Sequence, residues 1–398
     1  MNKKYYIVVT PFFPTAESFR GPFIYDQVQA LKRNSDYEIM VFCPVQQIRK
    51  LYYDYRGVRV HYFHHWQMPS MILNGLTDRL SQRSFLNKLR ELGIPLENVA
   101  VVHTHTVSMA AMALVVKKYN PAVETIVQHH DPDPYGIRNG RLSEKWWNVQ
   151  YRARHAKWLF EQIDLHVSVS QYVEKNLLLF PSCSAHDIDE KYLHVLSKVK
   201  NISRTKIKKS VVLYNGVDVD QFYRNPVPHE GFVIGCVANM GDWKDQLTLI
   251  KAVELLHQKG VQNLTLNFIG SGEEREYYER YVREHGLDGC IHFLKEVQHE
   301  QLPVFYNTLD LFVLPSYFEG FGCVFTEAAS CGVPFMICEG QGASEYLAEN
   351  EKNQWTFKPK DYHTLAKLIE EQMVNRYVQQ LVEPLNIDEL IIRFLKNI

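Results

Sequence analysis

The sequence contains no long apolar run, and none approaches the roughly 18 residues that a membrane-spanning helix needs. Its first apolar run, Tyr5 to Val9, stops before Pro11. That run is too short for the core of a signal peptide and predicts a first β-strand. The chain also lacks an excess of charge, because 44 Lys and Arg residues are balanced by 45 Asp and Glu residues. Its formal net charge of −1 gives no electrostatic indication of nucleic-acid binding.

Neither a disulfide framework nor a metal site is indicated by the cysteines and histidines. The seven cysteines are odd in number, scattered, and mostly inside apolar segments, which favours free buried thiols in a reducing cytoplasm. The HTH segment at 103–105 and the histidines 61, 64 and 65 have no cysteine or carboxylate at ligand spacing. We therefore expect a cytoplasmic protein without a metal.

Strand-like and helix-like segments alternate along the 398 residues, which predicts parallel sheets. A second series of this kind begins near residue 231, after the basic segment 195–210. The length predicts two domains, which we place at 1–205 and 206–381, with a C-terminal amphipathic helix at 382–398 returning to the first. Two doubly wound α/β domains would bind ligands at the carboxyl ends of their strands.

The segment LPSYFEGFGCVFTEAASCGVPFMI, residues 314–337, reads as a strand, a glycine turn and a helix from about 322 to 331. Gly320 and Gly322 permit close backbone approach, and the first helical amides offer free N–H groups to a phosphate. Glu319 and Glu327 flank this site, and eight helical residues would separate them by roughly 12 Å. The spacing suits two ends of a nucleotide-sugar, with one acid at the ribose and one at the sugar.

This E-x7-E segment resembles the retaining glycosyltransferases of family 4, within the group 1 glycosyl transferases, which have the GT-B fold. That fold consists of two Rossmann-like domains with the active site in the cleft between them. Other segments carry the same resemblance, and it is strongest from 211 to 348. They are RGPFIYDQVQAL (20–31), LYNGVDVDQF (213–222), ANMGDWKDQLTLIKAVELL (238–256) and LNFIGSGEERE (266–276).

The resemblance implies a role for each matching residue. Glu327 would bind the donor ribose, and Glu319 would hold the donor sugar. Lys244 would neutralise the diphosphate leaving group. His130 would lie near the sugar, with His129 as the rival assignment. Further donor-binding positions that the resemblance implies are Gly320, Phe321, Gly322, Gly21, Asn239, Gly270 and Gly272.

Two departures from the family pattern concern the diphosphate contacts. The family usually has an arginine where this chain has Asn239, and a glycine where it has Asp245 after Lys244. The expected reaction is transfer of a sugar, with retained configuration, from a nucleotide-diphosphate sugar to a hydroxyl of a glycan or a lipid-linked acceptor. Such a reaction needs no cofactor besides the co-substrate, and the expected setting is cell-surface polysaccharide or glycoconjugate biosynthesis.

Several alternatives stay open from the sequence. Asp131-Pro132-Asp133 is formally a metal-binding D-x-D motif, or simply a proline loop. The basic and aromatic segment 141–160 is a helix covering the first domain, or an acceptor or membrane-surface site. The basic segment 195–210 is a solvated surface or a contact with anionic membrane. Another GT-B enzyme, such as an epimerase or phosphorylase, and a weakly catalytic binding scaffold are the alternative functions. The oligomeric state is open.

Overall fold

A computed structural model describes residues 3–15, 20–47, 50–66, 75–131, 137–138, 141–142, 146–182 and 199–398. The chain divides into two compact units, Met1–Tyr214 with Asp388–Ile398, and Asn215–Ile387. This boundary differs from the predicted one at 205/206. The reason is that the strand Ser210–Val212 pairs with Leu165–Ser168 in the first sheet.

The first unit is built on an eight-stranded sheet of order β10-β9-β6-β5-β1-β2-β4-β3. Its neighbouring strands are parallel, apart from the antiparallel edge pair β3–β4. A separate antiparallel pair is formed by β7 and β8. The strands are β1 (Tyr5–Val9), β2 (Glu38–Val45), β3 (Tyr52–Tyr55), β4 (Val58–His64), β5 (Val99–His105), β6 (Glu124–His129), β7 (Ile137–Arg138), β8 (Arg141–Leu142), β9 (Leu165–Ser168) and β10 (Ser210–Val212).

Helices flank this sheet, and the first of them shows how the sequence specifies them. Helix α1 starts at Pro22, whose fixed φ suits the first helical position, after Gly21 at φ 85°. Its residues Ile24, Val28 and Leu31 are fully or almost fully buried, as expected for a helix with one apolar face. The helices are α1 (Pro22–Asn34), α2 (Asp78–Glu91), α3 (Ala110–Tyr119), α4 (Trp146–Phe160) and α5 (Gln171–Leu179).

The sequence predicts loops at 44–57, 64–85 and 131–145 of the first unit. Strand β3 instead lies within the first of these segments, α2 begins inside the second, and β7 and β8 lie within the third. Helix α2 buries Phe85 and Leu89 in the core of the unit. The two sides of this helix therefore differ, since Arg79, Arg83 and Arg90 are exposed.

The second unit contains a six-stranded, all-parallel sheet of order β13-β12-β11-β14-β15-β16. This is the doubly wound order 3-2-1-4-5-6, in which ligands bind where the order reverses, between the first and fourth strands. In this unit those strands are β11 and β14. The elements are β11 (Phe232–Val237), α6 (Gln246–Gln258), β12 (Leu264–Ile269), α7 (Arg275–Glu284), β13 (Ile291–Leu294), α8 (Leu302–Tyr306), β14 (Leu311–Leu314), α9 (Cys323–Ser330), β15 (Phe335–Cys338), α10 (Lys352–Trp355), β16 (Thr356–Phe357) and α11 (Tyr362–Asn375).

The C-terminal helix α12 spans Ile387–Leu395, which is shorter than the predicted 382–398. Residues from Asp388 onward belong to the first unit, where Arg33 of α1 donates two hydrogen bonds to Asp388, at 3.0 and 2.9 Å. Among the helices that the structure describes, none combines the length and hydropathy of a membrane span. The six cysteines within the described ranges are free thiols, and Cys183 lies outside those ranges.

Candidate functional site

The loops after β11 and β12 press together at the sheet edge where ligands bind. A Cβ at Gly270 would lie 2.0 Å from the carbonyl oxygen of Ala238, and one at Gly272 would lie 2.1 Å from that of Met240. Met240 donates its N–H to the carbonyl of Ser271 at 2.7 Å. Gly270 and Gly272 have φ near +150°, where side chains are strained. The G-S-G turn thus supports the loop that contains Asn239.

Lys244 and Glu319 form an ion pair, with the Lys244 ammonium donating to Glu319 Oε1. The two side chains are 18% and 12% exposed, so the pair is largely withdrawn from water. Lys244 closes a short 3-10 turn after β11, and Glu319 follows β14. The switch point of the second sheet therefore carries one cation and one carboxylate in direct contact.

The turn around Glu319 is fixed by a neighbouring loop. The N–H of Glu319 donates to the side-chain oxygen of Gln341 at 2.6 Å. A Cβ at Gly342 would lie 2.1 Å from the carbonyl oxygen of Gly320, so only glycine fits there. The buried Phe321 packs against Tyr346 with ring centroids 5.7 Å apart. These contacts hold the backbone of the glycine turn in one conformation.

Helix α9 begins directly after Gly322, whose φ is 88°. Its eight residues, Cys323–Ser330, are fewer than the predicted 322–331. Glu319 precedes the helix by four residues, so the estimate of roughly 12 Å from helical rise does not apply to its separation from Glu327. The N–H groups of the first turn lie at this end, where helices attract anions.

Glu327 is held by two residues that the sequence did not single out. Tyr306 donates its hydroxyl to Glu327 Oε2 at 2.8 Å, and His299 Nε2 lies 2.9 Å from Oε1. Glu327 is only 6% exposed and Tyr306 is fully buried. No local motif indicates these contacts, because Tyr306 and His299 are 21 and 28 positions away in the chain. The carboxylate is therefore oriented before any ligand arrives.

Asn239 and Asp245 mark the departures from the family pattern. Asn239 is exposed, and its carbonyl accepts a hydrogen bond from the side chain of Gln246 at 3.0 Å. Arg275 lies beside the G-S-G turn at 270–272. Its guanidinium donates to the carbonyls of Gly270, Phe293 and Leu294 and to the carboxylate of Glu279. The guanidinium of Arg275 is therefore already hydrogen-bonded, and it does not replace the arginine that the family pattern has at the position of Asn239.

Asp245 adopts a left-handed conformation, with φ 49°, and accepts a hydrogen bond from the hydroxyl of Thr248 at 2.7 Å. Burial raises its pKa to about 6, and the Thr248 hydrogen bond opposes that rise. A glycine would take this conformation without strain. Aspartate is among the residues that tolerate it.

In the first unit, His130 follows β6 and meets the turn at Gly21. The His130 ring lies 5.0 Å from that of Phe23 and 6.1 Å from that of Phe12. Gly21 precedes Phe23 by two residues, and a Cβ on it would approach the carbonyl oxygen of Phe12 to 3.1 Å. The structure therefore brings these two predicted residues of the first unit together.

The two neighbouring histidines differ in what they contact. His129 is 1% exposed and its Nε2 lies 3.1 Å from Nδ1 of His166, inside the core. His130 keeps some exposure and places Nε2 2.9 Å from Nδ1 of His105, while its own Nδ1 has no hydrogen-bond partner among the described residues. Burial among these rings lowers the pKa of His130 to about 3 and that of His129 well below its usual range. Both imidazoles are neutral at pH 7.

No group of three metal-ligating side chains occurs in the part of the chain that the structure describes. Pro132 and Asp133 of the D-x-D motif lie outside that part, as do residues 195–198 of the basic segment. Within 141–160, helix α4 is described, and it buries Val149 and Ala153 in the first core. Trp158 on the same helix is 56% exposed.

Both halves of the chain match sequence models of glycosyltransferases. Residues 219–383 match the sequence model described as "Glycosyl transferases group 1", and residues 21–188 match the one described as "Glycosyltransferase Family 4". An uncharacterized glycosyltransferase of Methanocaldococcus jannaschii is 26% identical over 203 residues, 48% of this chain and 50% of that protein. The chain spans about half or less of the length of the first curated relatives that it matches.

A longer match covers 84% of this chain at 24% identity. It covers 94% of the N,N'-diacetylbacillosaminyl-diphospho-undecaprenol alpha-1,3-N-acetylgalactosaminyltransferase of Campylobacter jejuni.

Two solved structures share the fold over almost the whole chain. The sucrose-phosphate synthase of Thermosynechococcus elongatus has a TM-score of 0.67 at 15% identity, covering 99% of this chain and 94% of that one. Anabaena HepE in complex with UDP and glucose has a TM-score of 0.64 at 15% identity, covering 99% and 100%. The fold is GT-B, and with both sequence models matched, the chain belongs to the group 1 glycosyl transferases.

Proposed function

We propose that this protein is a retaining glycosyltransferase. It transfers a sugar from a nucleotide-diphosphate sugar to a hydroxyl of a glycan or a lipid-linked acceptor. The observation that carries the proposal is the contact between Lys244 and Glu319 at the switch point of the second sheet. A cation for the diphosphate and a carboxylate for the sugar hydroxyls occupy the place where a doubly wound sheet binds its ligand.

The donor would bind along the loops that surround this contact. Glu327, oriented by Tyr306 and His299, accepts hydrogen bonds from the ribose hydroxyls. The diphosphate lies at the amino end of α9, where the backbone amides of Phe321 and Gly322 and the helix dipole favour negative charge. Glu319 then holds the hydroxyls of the sugar.

The ion pair implies a rearrangement when the donor binds. Lys244 is neutralised by Glu319 in the ligand-free protein, so it must turn from the carboxylate to the diphosphate. Glu319 is then released for the sugar hydroxyls. The ligand therefore replaces one ion pair by two new sets of polar contacts, and neither side chain is left as an unpaired buried charge.

In the transfer step, the bond between C1 and the diphosphate oxygen breaks, and its electron pair stays on the phosphate. The acceptor hydroxyl forms the new C1–O bond on the same face and gives its proton to the departing phosphate. Lys244 and the backbone amides stabilise the charge that develops there. In the first unit, His130 and Gly21 are the candidates for contact with the sugar and the phosphates.

Two similarities support the choice of substrates. Anabaena HepE forms a complex with UDP and glucose, and the Campylobacter relative is named for a diphospho-undecaprenol acceptor. We propose the same classes here, a nucleotide-diphosphate sugar and a glycan or lipid-linked acceptor, in cell-surface polysaccharide or glycoconjugate biosynthesis on the cytoplasmic side. Contact with the inner face of the plasma membrane accompanies a lipid-linked acceptor.

The test is a transfer reaction with a panel of nucleotide-sugars and simple glycoside acceptors, followed by NMR of the new anomeric centre. A product with the donor's configuration is expected, and an inverted product would contradict the retaining mechanism. Lys244→Gln should lower kcat by about 100-fold or more, since removal of one donor to a developing oxyanion has that effect. Lys251→Gln, on the neighbouring helix α6, serves as the control.

A binding scaffold is the second candidate, and the exposed Asn239 favours it because one cation of the family pattern is missing. Such a scaffold would bind a nucleotide-sugar without turnover. Donor binding without detectable transfer or hydrolysis, over the whole panel, would therefore select the scaffold. Any turnover that Lys244→Gln abolishes would reject it.

A further inference from the structure

A large groove in the first unit lies away from every residue that the family resemblance assigns. It encloses about 1060 Å³ and is lined mainly by helices α2 and α3, the end of α4, and Lys208. On α2 its lining residues recur at positions 79, 82, 83, 86, 87 and 90, which places them on one helical face. Phe85 and Leu89 of the core lie on a different face of the helix.

Among the described residues, six cations line the groove, against a single lining carboxylate, Glu161. The cations are Arg79, Arg83, Arg90, Lys117, Lys118 and Lys208. Glu161 is paired with Lys157.

Lys117 and Lys208 both form salt bridges with Asp164. Within the described ranges, none of Arg79, Arg83, Arg90 and Lys118 pairs with a carboxylate. The unpaired charges repel one another across the groove, and a bound anion would offset that repulsion.

Apolar and aromatic side chains line part of the groove. Leu86 and Leu114 are partly buried and pack against the core. Tyr119 and Trp158 also line the groove and are 60% and 56% exposed. Partly buried leucines, charged donors and two exposed rings in one concave groove suit a discrete ligand.

The position of the groove separates it from the predicted catalytic edge. Lys117 donates to the carbonyl of Val123, just before β6, at 3.0 Å. His130 follows the other end of β6. Six residues of strand span about 20 Å, so a ligand at Lys117 and one at His130 would occupy opposite edges of the first sheet.

We propose that this groove binds a ligand with at least two phosphate groups, at a site distinct from the donor site. Arginine guanidinium groups match phosphate oxygens in bidentate geometry, and three arginines on one face of α2 can engage successive phosphates. The concave shape favours a discrete polyphosphate group over a bilayer, which is locally flat and would reach only the rim. This site does not depend on the proposed transferase activity, because none of its residues belongs to the donor site.

The experiment measures binding of inorganic tripolyphosphate to the full chain by calorimetry at moderate salt. Arg83→Gln combined with Lys118→Gln removes one cation from each side of the groove and should weaken this binding by about 10-fold or more. The control, Arg280→Gln combined with Lys367→Gln, removes the same charge from exposed helices of the second unit. It should bind like the wild type.

Two further readouts locate the site. Lys244→Gln should leave one tripolyphosphate site intact, which separates the groove from the donor site. The ligand should also change tryptophan fluorescence, and Trp158→Phe should remove that change. A second arm uses vesicles of phosphatidylglycerol and phosphatidylcholine, which present phosphate as lipid headgroups.

The proposal is supported if tripolyphosphate binds the wild type and the control, and binds the groove variant more weakly. Binding to vesicles without binding to tripolyphosphate would overturn the proposal and make the groove a membrane contact. Equal binding by the groove variant and its control, loss of all binding in Lys244→Gln, or no binding by the wild type would also overturn it.

Discussion

The hydroxyl of Tyr306 donates a hydrogen bond to Glu327 Oε2 over 2.8 Å, between two buried side chains. A buried carboxylate needs such donors, because its charge is costly without them. The tyrosine therefore fixes the orientation of the acid that we assign to the donor ribose. Its influence on ligand binding can be separated from its contribution to packing.

Tyr306→Phe should weaken binding of the preferred nucleoside diphosphate by about 10-fold, the value of one hydrogen bond to a charged group. The ring and its packing stay in place, so the loss reports on orientation of Glu327. Calorimetry measures the affinity. The matched control is Tyr278→Phe, a buried tyrosine of the same unit whose hydroxyl makes no hydrogen bond to the described residues. Equal affinities for the two variants would contradict the assignment.

Gly342→Ala should disrupt the glycine turn that carries Glu319. The new Cβ would meet the carbonyl oxygen of Gly320 at 2.1 Å, and backbone cannot yield as a flexible side chain does. We expect a loss of about 1–3 kcal/mol in the free energy of unfolding, together with weaker donor binding. Chemical denaturation measures the first.

Gly289→Ala is the control, since nothing lies within 4 Å of its Cβ. If Gly342→Ala were as stable as the control and bound donor equally well, the turn would not need this close approach.

Acidification should destabilise the first unit. Burial lowers the pKa of His103 and His130 to about 3 and that of His166 to about 4, and it lowers those of His105 and His129 well below their usual range. The unfolded chain, with histidine pKa near 6.5, then binds more protons than the folded one. The contribution of these histidines to the free energy of unfolding is therefore fully present above about pH 6.5 and decreases as the pH falls toward 4.

Hydrogen exchange, corrected for intrinsic rates, measures this effect strand by strand. Protection should decrease in β5 and β6 of the first sheet between pH 6.5 and 4. Strands β12 and β15 of the second sheet serve as the internal reference, because they lie in the other unit. Equal loss of protection in both sheets would contradict the role of the histidines.

Asp245→Asn should have the opposite pH dependence. The pKa of Asp245 is raised to about 6 in the folded protein. The contribution of this group to the free energy of unfolding is therefore most favourable below the unfolded pKa of about 4, and it is lost as the pH rises through 6. Asparagine keeps the acceptor for Thr248 and tolerates the left-handed conformation. We expect the variant to gain about 1–2 kcal/mol of stability over wild type at pH 8, and nothing at pH 4. Urea denaturation at both values checks this, and an equal effect at both would contradict it.

Much of the fold is predictable from residue pattern. The residue pattern predicts a strand at 99–105 and a helix from Pro22, and the structure has β5 at Val99–His105 and α1 from Pro22. The pattern also predicts a helix at 243–258, but α6 begins at Gln246, because Asp245 has φ 49° and a helix cannot continue through that conformation. Helix α2 was missed because its many charged and polar residues obscure the apolar positions that it buries.

The candidate site was predictable only in part. Motif resemblance indicates Lys244, Glu319 and Glu327, because their spacing lies within short segments. The contacts of Glu327 with Tyr306 and His299 join different elements of the fold, so no local pattern encodes them. The pairing of Lys244 with Glu319 likewise depends on two loops that are 75 positions apart in the chain.

The central claim is that Glu327 binds the ribose of a nucleotide donor. Calorimetric titration of UDP, GDP and ADP into the wild type, Glu327→Gln and the exposed control Glu276→Gln tests it most directly. We expect one nucleotide to bind the wild type and the control equally, and to bind Glu327→Gln at least about 10-fold more weakly. Equal binding to a folded Glu327→Gln variant, or no binding of any nucleotide to the wild type, would contradict it.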